Sequence, residues 1–441
     1  MTKNLPATVR SALYALRGGF LIRPFVIAFT AGAAGAVLSS LEEQYPGIQA
    51  IVPRTLFPSH ADPQVAQAIL TTIATATMTV VSIVFAILLM TLTLASTQFS
   101  PRILISFVRD QVTQWTLGVF LGTFSYCIAA LPAARSLPFP FVPVLTVLGA
   151  MALAPVCVGL LIYFIHHISN AISVNTIIDR LRRETELVIG ELMPYARAPL
   201  QMPESIGTFR EALDFAVLSR ASGYIRYVDI DRLKTLAKAY GTGIALERRV
   251  GHFISEGVAL LRVTRGSRLT SDRELELLAA VEIGPTRTMQ QDVEFGIVQI
   301  VDIALRAISP AVNDPTTAIS CVDQLGSVLI CWLGRTPPRS YHYDPPHVLR
   351  VVVPWIGLDG LLDLAFEQIR HYAVADAAVS LRLIRVLSDI GSTVSDPAIH
   401  SLLLERGKRV LAGCASRLPE DDLDRLRRRL AVLEDRVAYP V

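Results

Sequence analysis

The chain has 441 residues, of which 52% are hydrophobic and only 18% charged, a balance shifted well away from that of an ordinary soluble protein. Its formal net charge of +3 is too small for the broad basic surface with which proteins neutralise nucleic-acid phosphates, so nucleic acid is set aside as a partner. The five cysteines, Cys127, Cys157, Cys321, Cys331 and Cys414, include no C-x-x-C pair, and neither a disulfide framework nor a zinc site is indicated.

The apolar excess lies almost entirely before His166, whereas acids and bases alternate in normal globular proportions after Asn170. Five stretches follow: a cytoplasmic segment 1–20, a transmembrane domain 21–168, a linker helix 169–200, a small α+β module 201–268 and a mainly helical domain 269–441. The expected class is a membrane α-helical protein: about four transmembrane helices, then a mainly α (α+β) cytoplasmic domain holding a small barrel-sandwich-like β element.

The apolar segments run approximately from Pro24 to Leu41, Ile69 to Ala95, Trp115 to Leu131 and Phe141 to Ile165. Each is long enough to cross a hydrocarbon core roughly 30 Å thick, and each must be helical because lipid offers no partner for backbone N–H and C=O groups. Lys3, Arg10, Arg17 and Arg23 precede the first span, Arg102 and Arg109 separate the second from the third, and Arg180, Arg182 and Arg183 follow the fourth. The intervening loops hold only Arg54 and Arg135, so the positive-inside rule puts the N-terminus and the C-terminal domain in the cytoplasm. Read as a signal peptide instead, the first span still leaves the C-terminal domain inside.

Ala28, Gly32 and Ala36 in the first span, and Gly118 and Gly122 in the third, are spaced for close helix packing against the same chain or another subunit. The second span carries an unusual density of hydroxyls. Thr72, Thr75, Thr79, Ser82, Ala86, Thr93 and Thr97 fall near one helical stripe. Two readings stand: several copies around an axis line a water-filled path with it, or the hydroxyls bond back to the carbonyl four residues earlier and pack helices together. The run from Val80 to Met90 forms a dewetting constriction or faces lipid, and the proposed cores contain no Asp, Glu, Lys, Arg or His, which argues against proton-coupled transport.

Past the second span, Ser100 and Pro101 open a short amphipathic helix at the inner interface. Arg102 and Arg109 would then sit at the cytoplasmic mouth of a path, or act as snorkelling anchors. The vicinal His166 and His167 point about 100° apart on a helix and chelate a metal poorly, so interfacial placement is expected.

In the soluble half, Ile178 to Glu191 forms a charged helix with local ion pairs, Tyr224 to Val228 a strand, Asp231 to Tyr240 a helix and Ile244 to Arg248 a strand. Gly251 and Gly257 turn the chain before Val258 to Val263, and Arg249 to Leu261 resembles half of a lipoyl-like barrel-sandwich motif. No lysine is placed to carry a prosthetic group, and no cofactor is expected. Between Met289 and Leu325, Asp292, Gln299, Asp302 and Arg306 punctuate an apolar helix, and Asn313, Asp314 and Pro315 open the next. These residues form a buried polar site or subunit contact, or else a capped helical hairpin held by its own hydrogen bonds. After the strand Leu349 to Val353, amphipathic helices run from Leu358 to the C-terminus. No phosphate loop, G-x-S-x-G or H-E-x-x-H motif occurs, so no enzymatic activity is expected.

Leu94 to Arg102, Gln291 to Gly296 and Ser309 to Pro315 together resemble a family of uncharacterised bacterial predicted membrane proteins, domain of unknown function 2254. The chain departs from the pattern at Ala311, where glycine is more usual. The resemblance implies a bacterial membrane protein and carries no activity. The expected function is a homo-oligomeric, channel-like conduit for small ions in the inner membrane, with a membrane-anchored sensory or scaffolding protein as the alternative.

Overall fold

The computed structural model describes residues 22–45, 62–98, 110–136, 140–171, 173–193, 206–345 and 347–438. The chain divides into two compact units, Met1–Ser173 and Val174–Val441.

Among the described residues the first unit holds four α-helices, α1 (Ile22–Gln44), α2 (Pro63–Gln98), α3 (Gln111–Ala130, extended by a 3-10 turn Leu131–Ala133) and α4 (Val144–Ala171). Each contains a stretch long and apolar enough to cross a membrane. Helix α3 is the hub: 50% of its most apolar stretch is buried, against 17% for α1 and 22% for each of α2 and α4. Helices α1, α2 and α4 all pack on α3, and α2 also packs on α4.

The small residues explain the closeness of α1 and α3. A methyl group added at Gly35 would stand 2.7 Å from the Tyr126 carbonyl oxygen, and one at Gly118 would stand 2.6 Å from Ile27 Cδ1. Gly122 faces Ala31 and Gly32 faces Ser125, whereas Ala36 is exposed. The two glycine rows therefore pair with each other inside one chain, where close backbone approach replaces the missing hydrophobic drive between helices in lipid.

The second unit begins with α5 (Val174–Leu192), where Arg182 bridges Asp179 and Glu186 as the charge spacing predicts. After α6 (Ile206–Glu211), strands β1 (Leu213–Leu218), β2 (Gly223–Val228), β3 (Ile244–Leu246), β4 (Phe253–Ile254), β5 (Ala259–Thr264) and β6 (Val281–Gly284) alternate with helices α7 (Ile230–Tyr240) and α8 (Ser271–Leu278). Strands β7 (Tyr341–Asp344) and β8 (Val348–Val352) come later in the chain. Among the described residues a five-stranded sheet has the order β1-β5-β3-β8-β7 and a three-stranded sheet the order β4-β2-β6, and of their neighbouring strands only β3 and β8 run parallel. Both sheets contribute to one apolar core that includes Val217, Ile225, Leu233, Ile244, Leu261 and Val351.

The segment Arg249 to Leu261 turns at Gly251 (φ 88) and Gly257 (φ 81), backbone conformations that glycine reaches without strain. Its two strands go to different sheets, β4 to the smaller and β5 to the larger.

The helical part holds α9 (Val293–Ala307), α10 (Pro315–Leu333), α11 (Leu358–Leu362), a single π turn Asp363–Glu367, α12 (Gln368–Tyr372), α13 (Ala377–Gly391), α14 (Pro397–Cys414) and α15 (Glu420–Ala438). Helix α10 is the fifth helix among the described residues that is long and apolar enough to span a bilayer, and it packs against α5, α9 and α13. The chain is thus mostly helical, with apolar helices suited to a membrane and a C-terminal region that mixes helices with two sheets.

Candidate functional site

Helix α2 is 36 residues long, roughly 54 Å at 1.5 Å per residue, well beyond the roughly 30 Å of a hydrocarbon core. Its buried side chains, Ala66, Leu70, Ala74, Thr77, Val81, Val84 and Thr91, recur every three, four or seven residues and form the stripe that meets α3 and α4. At 100° per residue the opposite side of the helix carries Thr72, Thr75, Thr79, Ser82, Ala86 and Thr93, and all six are exposed. The hydroxyl stripe therefore points away from the subunit's own bundle. The seventh stripe position, Thr97, continues α2, but its side chain lies outside the described residues, as do Arg102, Arg109 and the amphipathic segment that begins at Ser100.

Four of the stripe hydroxyls satisfy their donors locally. Thr72 donates to the Ala68 carbonyl (2.7 Å), Thr79 to Thr75 (3.0 Å), Ser82 to Met78 (3.1 Å) and Thr93 to Leu89 (2.9 Å). Back-bonding of this kind lets a hydroxyl sit in a membrane helix without a partner helix, with both oxygen lone pairs still free to accept. An open groove of about 400 Å³ runs along one flank of the stripe, between Thr71, Thr75, Thr79 and Ser82 of α2 and Phe124, Ile128 and Leu131. The composition of the exposed surface changes along the helix: hydroxyls and alanine dominate up to Ser82, then Ile83, Leu89 and Met90 stand 50–67% exposed.

Apart from Ser39 of α1 and Thr77 and Thr91 of α2, the buried polar groups among the described residues of the first unit lie on α3 and at its ends. Thr113, Thr116 and Thr123 are buried on one side of α3 together with Cys127, and Thr123 lies 3.3 Å from Cys157 of α4. At one end Asp110 caps α3 through the Thr113 amide (2.8 Å) and meets His167 Nε2 at 3.2 Å. At the other end Glu42 is fully buried; its carboxylate accepts from the Leu145 amide (3.0 Å), the Thr146 amide (2.7 Å) and the Thr146 hydroxyl (2.7 Å), while the Tyr126 hydroxyl donates to the Thr146 carbonyl (3.1 Å). The first amides of a helix have no intrahelical acceptor, so Glu42 of α1 fills the vacancy at the start of α4. Sequence reasoning missed this residue because it falls one position beyond the expected end of the first span.

In the second unit the expected polar residues separate into two helix caps. Asp292 is buried, caps α9 through the Phe295 amide (2.9 Å) and pairs with Arg287 through two 2.8 Å contacts. Asp314 caps α10 through the Thr317 amide (3.1 Å) and hydroxyl (2.6 Å), and these bonds, with the Thr316 amide, hold its carboxyl below the usual range. Asn313 takes the left-handed conformation (φ 50) in the turn, whereas the exposed Ala311 has no positive φ. Helix α9 separates Asp292 from Asp314 by 15 residues, roughly 22 Å, so the two do not share a site. Between them Gln299 is buried, Asp302 half-buried and Arg306 exposed. Beside Asp292, Arg249 pairs with Glu294 at 2.9 Å; burial pushes the Glu294 carboxyl up, with Arg249 opposing the shift. His252 is shifted down by burial and then by the nearby Arg249, Arg287 and Arg248. Among the described residues no group of three or more His, Cys, Asp or Glu side chains is arranged to hold a metal ion.

These features define a multi-pass α-helical membrane protein with a folded C-terminal unit. The chain matches the family described as Predicted membrane protein (DUF2254) over residues 17–389 and belongs to it. It is 33% identical over 391 residues to uncharacterised proteins of Mycobacterium bovis (strain ATCC BAA-935 / AF2122/97) and Mycobacterium tuberculosis (strain ATCC 25618 / H37Rv), covering 87% of this chain and 74% of each relative. No solved structure matches the chain.

Proposed function

We propose that the chain is one subunit of a homo-oligomeric, channel-like conduit for small ions in the bacterial inner membrane, with α2 lining the path. The observation that carries this reading is the direction of the hydroxyl stripe: Thr72, Thr75, Thr79, Ser82 and Thr93 are exposed on the side of α2 opposite its contacts with α3 and α4. A lone subunit would present that stripe to hydrocarbon, whereas copies arranged with α2 toward a common axis present it to water. The large side chains Ile83, Leu89 and Met90 further along the same helix suit an apolar constriction.

Four helices span in this reading. Helix α10 is the fifth by length and composition, but it carries Asp323, paired with Arg382 of α13 at 3.3 Å, and its apolar side packs on helices of the C-terminal unit. The Lys and Arg distribution supports a cytoplasmic N-terminus and a cytoplasmic C-terminal unit.

The competing reading is a membrane-anchored sensory or scaffolding protein without transport. Ion flux into liposomes containing the purified protein separates the two. A conduit gives flux above that of empty vesicles under at least one condition of voltage, tension or pH. Background flux throughout, from protein shown to be inserted and folded, removes the conduit and leaves the anchor.

A further inference from the structure

The β1–β2 turn and the β4–β5 turn of the second unit are stitched into a single tip. The Ser219 amide donates to the Val258 carbonyl (2.9 Å), the Gly257 amide to the Ser219 carbonyl (2.9 Å) and the Glu256 amide to the Ser222 hydroxyl (2.9 Å). Three large apolar side chains project from it: Leu218 is 48% exposed, Phe253 48% and Val258 38%. The Phe253 ring is braced edge-on against Tyr224, with centroids 5.3 Å apart, so it is held in place while half of it meets solvent. Arg220 and Arg248 are exposed beside these residues, the Arg248 guanidinium reaching within 3.5 Å of the Phe253 carbonyl. Neither arginine has a carboxylate within ion-pair distance among the described residues; Glu256 is exposed on the tip, and the exposed Glu247 beside Arg248 pairs with Arg262 at 3.0 Å.

We propose that this tip is a membrane-surface contact: Leu218, Phe253 and Val258 insert shallowly between lipid headgroups, and Arg220 and Arg248 meet the phosphates of anionic lipids. Rigid turns that display a few apolar side chains flanked by arginines match the two layers of a bilayer interface, acyl carbon below and phosphate above. The partner is identified by connectivity as well as by chemistry. Helix α4 ends at Ala171 and α5 starts at Val174, so a first unit that spans the bilayer ties the second unit to the same membrane by chain connectivity, and a weak surface contact then forms within one molecule and not between two. The proposal is independent of the conduit and needs only that the first unit spans the membrane.

The test uses the full chain in vesicles of phosphatidylcholine with and without phosphatidylglycerol. An environment-sensitive fluorophore is attached at Leu218→Cys or Val258→Cys in a Cys331→Ser background, because the other four native cysteines are buried. Leu275→Cys, exposed on α8, serves as the control. The expected result is a loss of fluorescence at 218 and 258 with a shallow lipid-borne quencher, greater with phosphatidylglycerol, and none at 275. Equal quenching at all three positions, or none at any, overturns the proposal. Quenching that ignores phosphatidylglycerol overturns the role of the two arginines. Labels shielded from aqueous iodide yet untouched by the lipid quencher put protein on the tip and overturn the membrane contact.

Discussion

Glu42 and Thr146 lie 104 residues apart in sequence and are joined by two 2.7 Å hydrogen bonds, one from the Thr146 amide and one from its hydroxyl, both ending on the same carboxylate oxygen. The carboxylate acts as the N-terminal cap of α4, supplied from another helix, and so ties α1 to α4 across the bundle.

Removing the cap leaves the Leu145 and Thr146 amides without their acceptor in a buried site. Glu42→Ala is expected to destabilise the first unit by about 1–3 kcal/mol, the cost of burying unmet donors. Glu42→Gln keeps a carbonyl oxygen and should lose less. Melting of the two variants in detergent checks the order; equal melting of Glu42→Ala and the parent protein would show that the cap carries no stability.

Glycines at two positions should respond to alanine with opposite signs. At Gly35 the new methyl meets the Tyr126 carbonyl oxygen at 2.7 Å, so the α1–α3 seam must open and Gly35→Ala should cost about 1–3 kcal/mol. At Gly159, exposed in α4, nothing lies within 4 Å, and Gly159→Ala should stabilise by about 0.5–1 kcal/mol through helix propensity alone. The same melting experiment reads both.

Asp314 sets a pH dependence at the start of α10. Its carboxyl is held below the usual range by the Thr317 hydroxyl and by backbone amides, so the ionised form is the one that caps the helix. A depressed native value means a contribution that is fully present above the unfolded-state value of about 3.9 and is lost as pH falls through the lower native value. Asp314→Ala should therefore cost about 1 kcal/mol at neutral pH, a difference that shrinks below about pH 4. Denaturant midpoints of both proteins across that range test it; a gap that widens in acid contradicts the assignment.

The sequence was most legible where structure is local. Asp314 followed by Pro315 announces a capped helix in two residues, and Gly251 and Gly257 mark turns because only their backbone freedom suits the positive φ found there. The hydroxyl stripe on α2 was visible as spacing, but its direction was not: whether a stripe is buried depends on α3 and α4, whose positions no spacing rule supplies. The polar groups at the ends of the bundle were hidden for the same reason. Glu42 finds Thr146, and Asp110 finds His167, only after the helices have packed. Strands β1 and β7 went unread because they are short and their places in the sheet rest on long-range partners; Phe215, for example, pairs with Val263. Gln299, Asp302 and Arg306 share α9 with the Asp292 cap, a proximity in sequence that spreads out along a helix instead of converging.

A conduit lined by α2 requires that the outward stripe of this helix meet water in the assembled protein. Single cysteines at Thr75, Thr79 and Thr93, with Val84 as the buried counterpart on the same helix, report this directly when full-length protein in a bilayer is treated with a membrane-impermeant, water-soluble thiol reagent. A water-facing stripe gives modification at 75, 79 and 93 and none at 84. Protection of all three stripe positions in protein that is folded and inserted would contradict it, leaving the stripe against lipid or another helix.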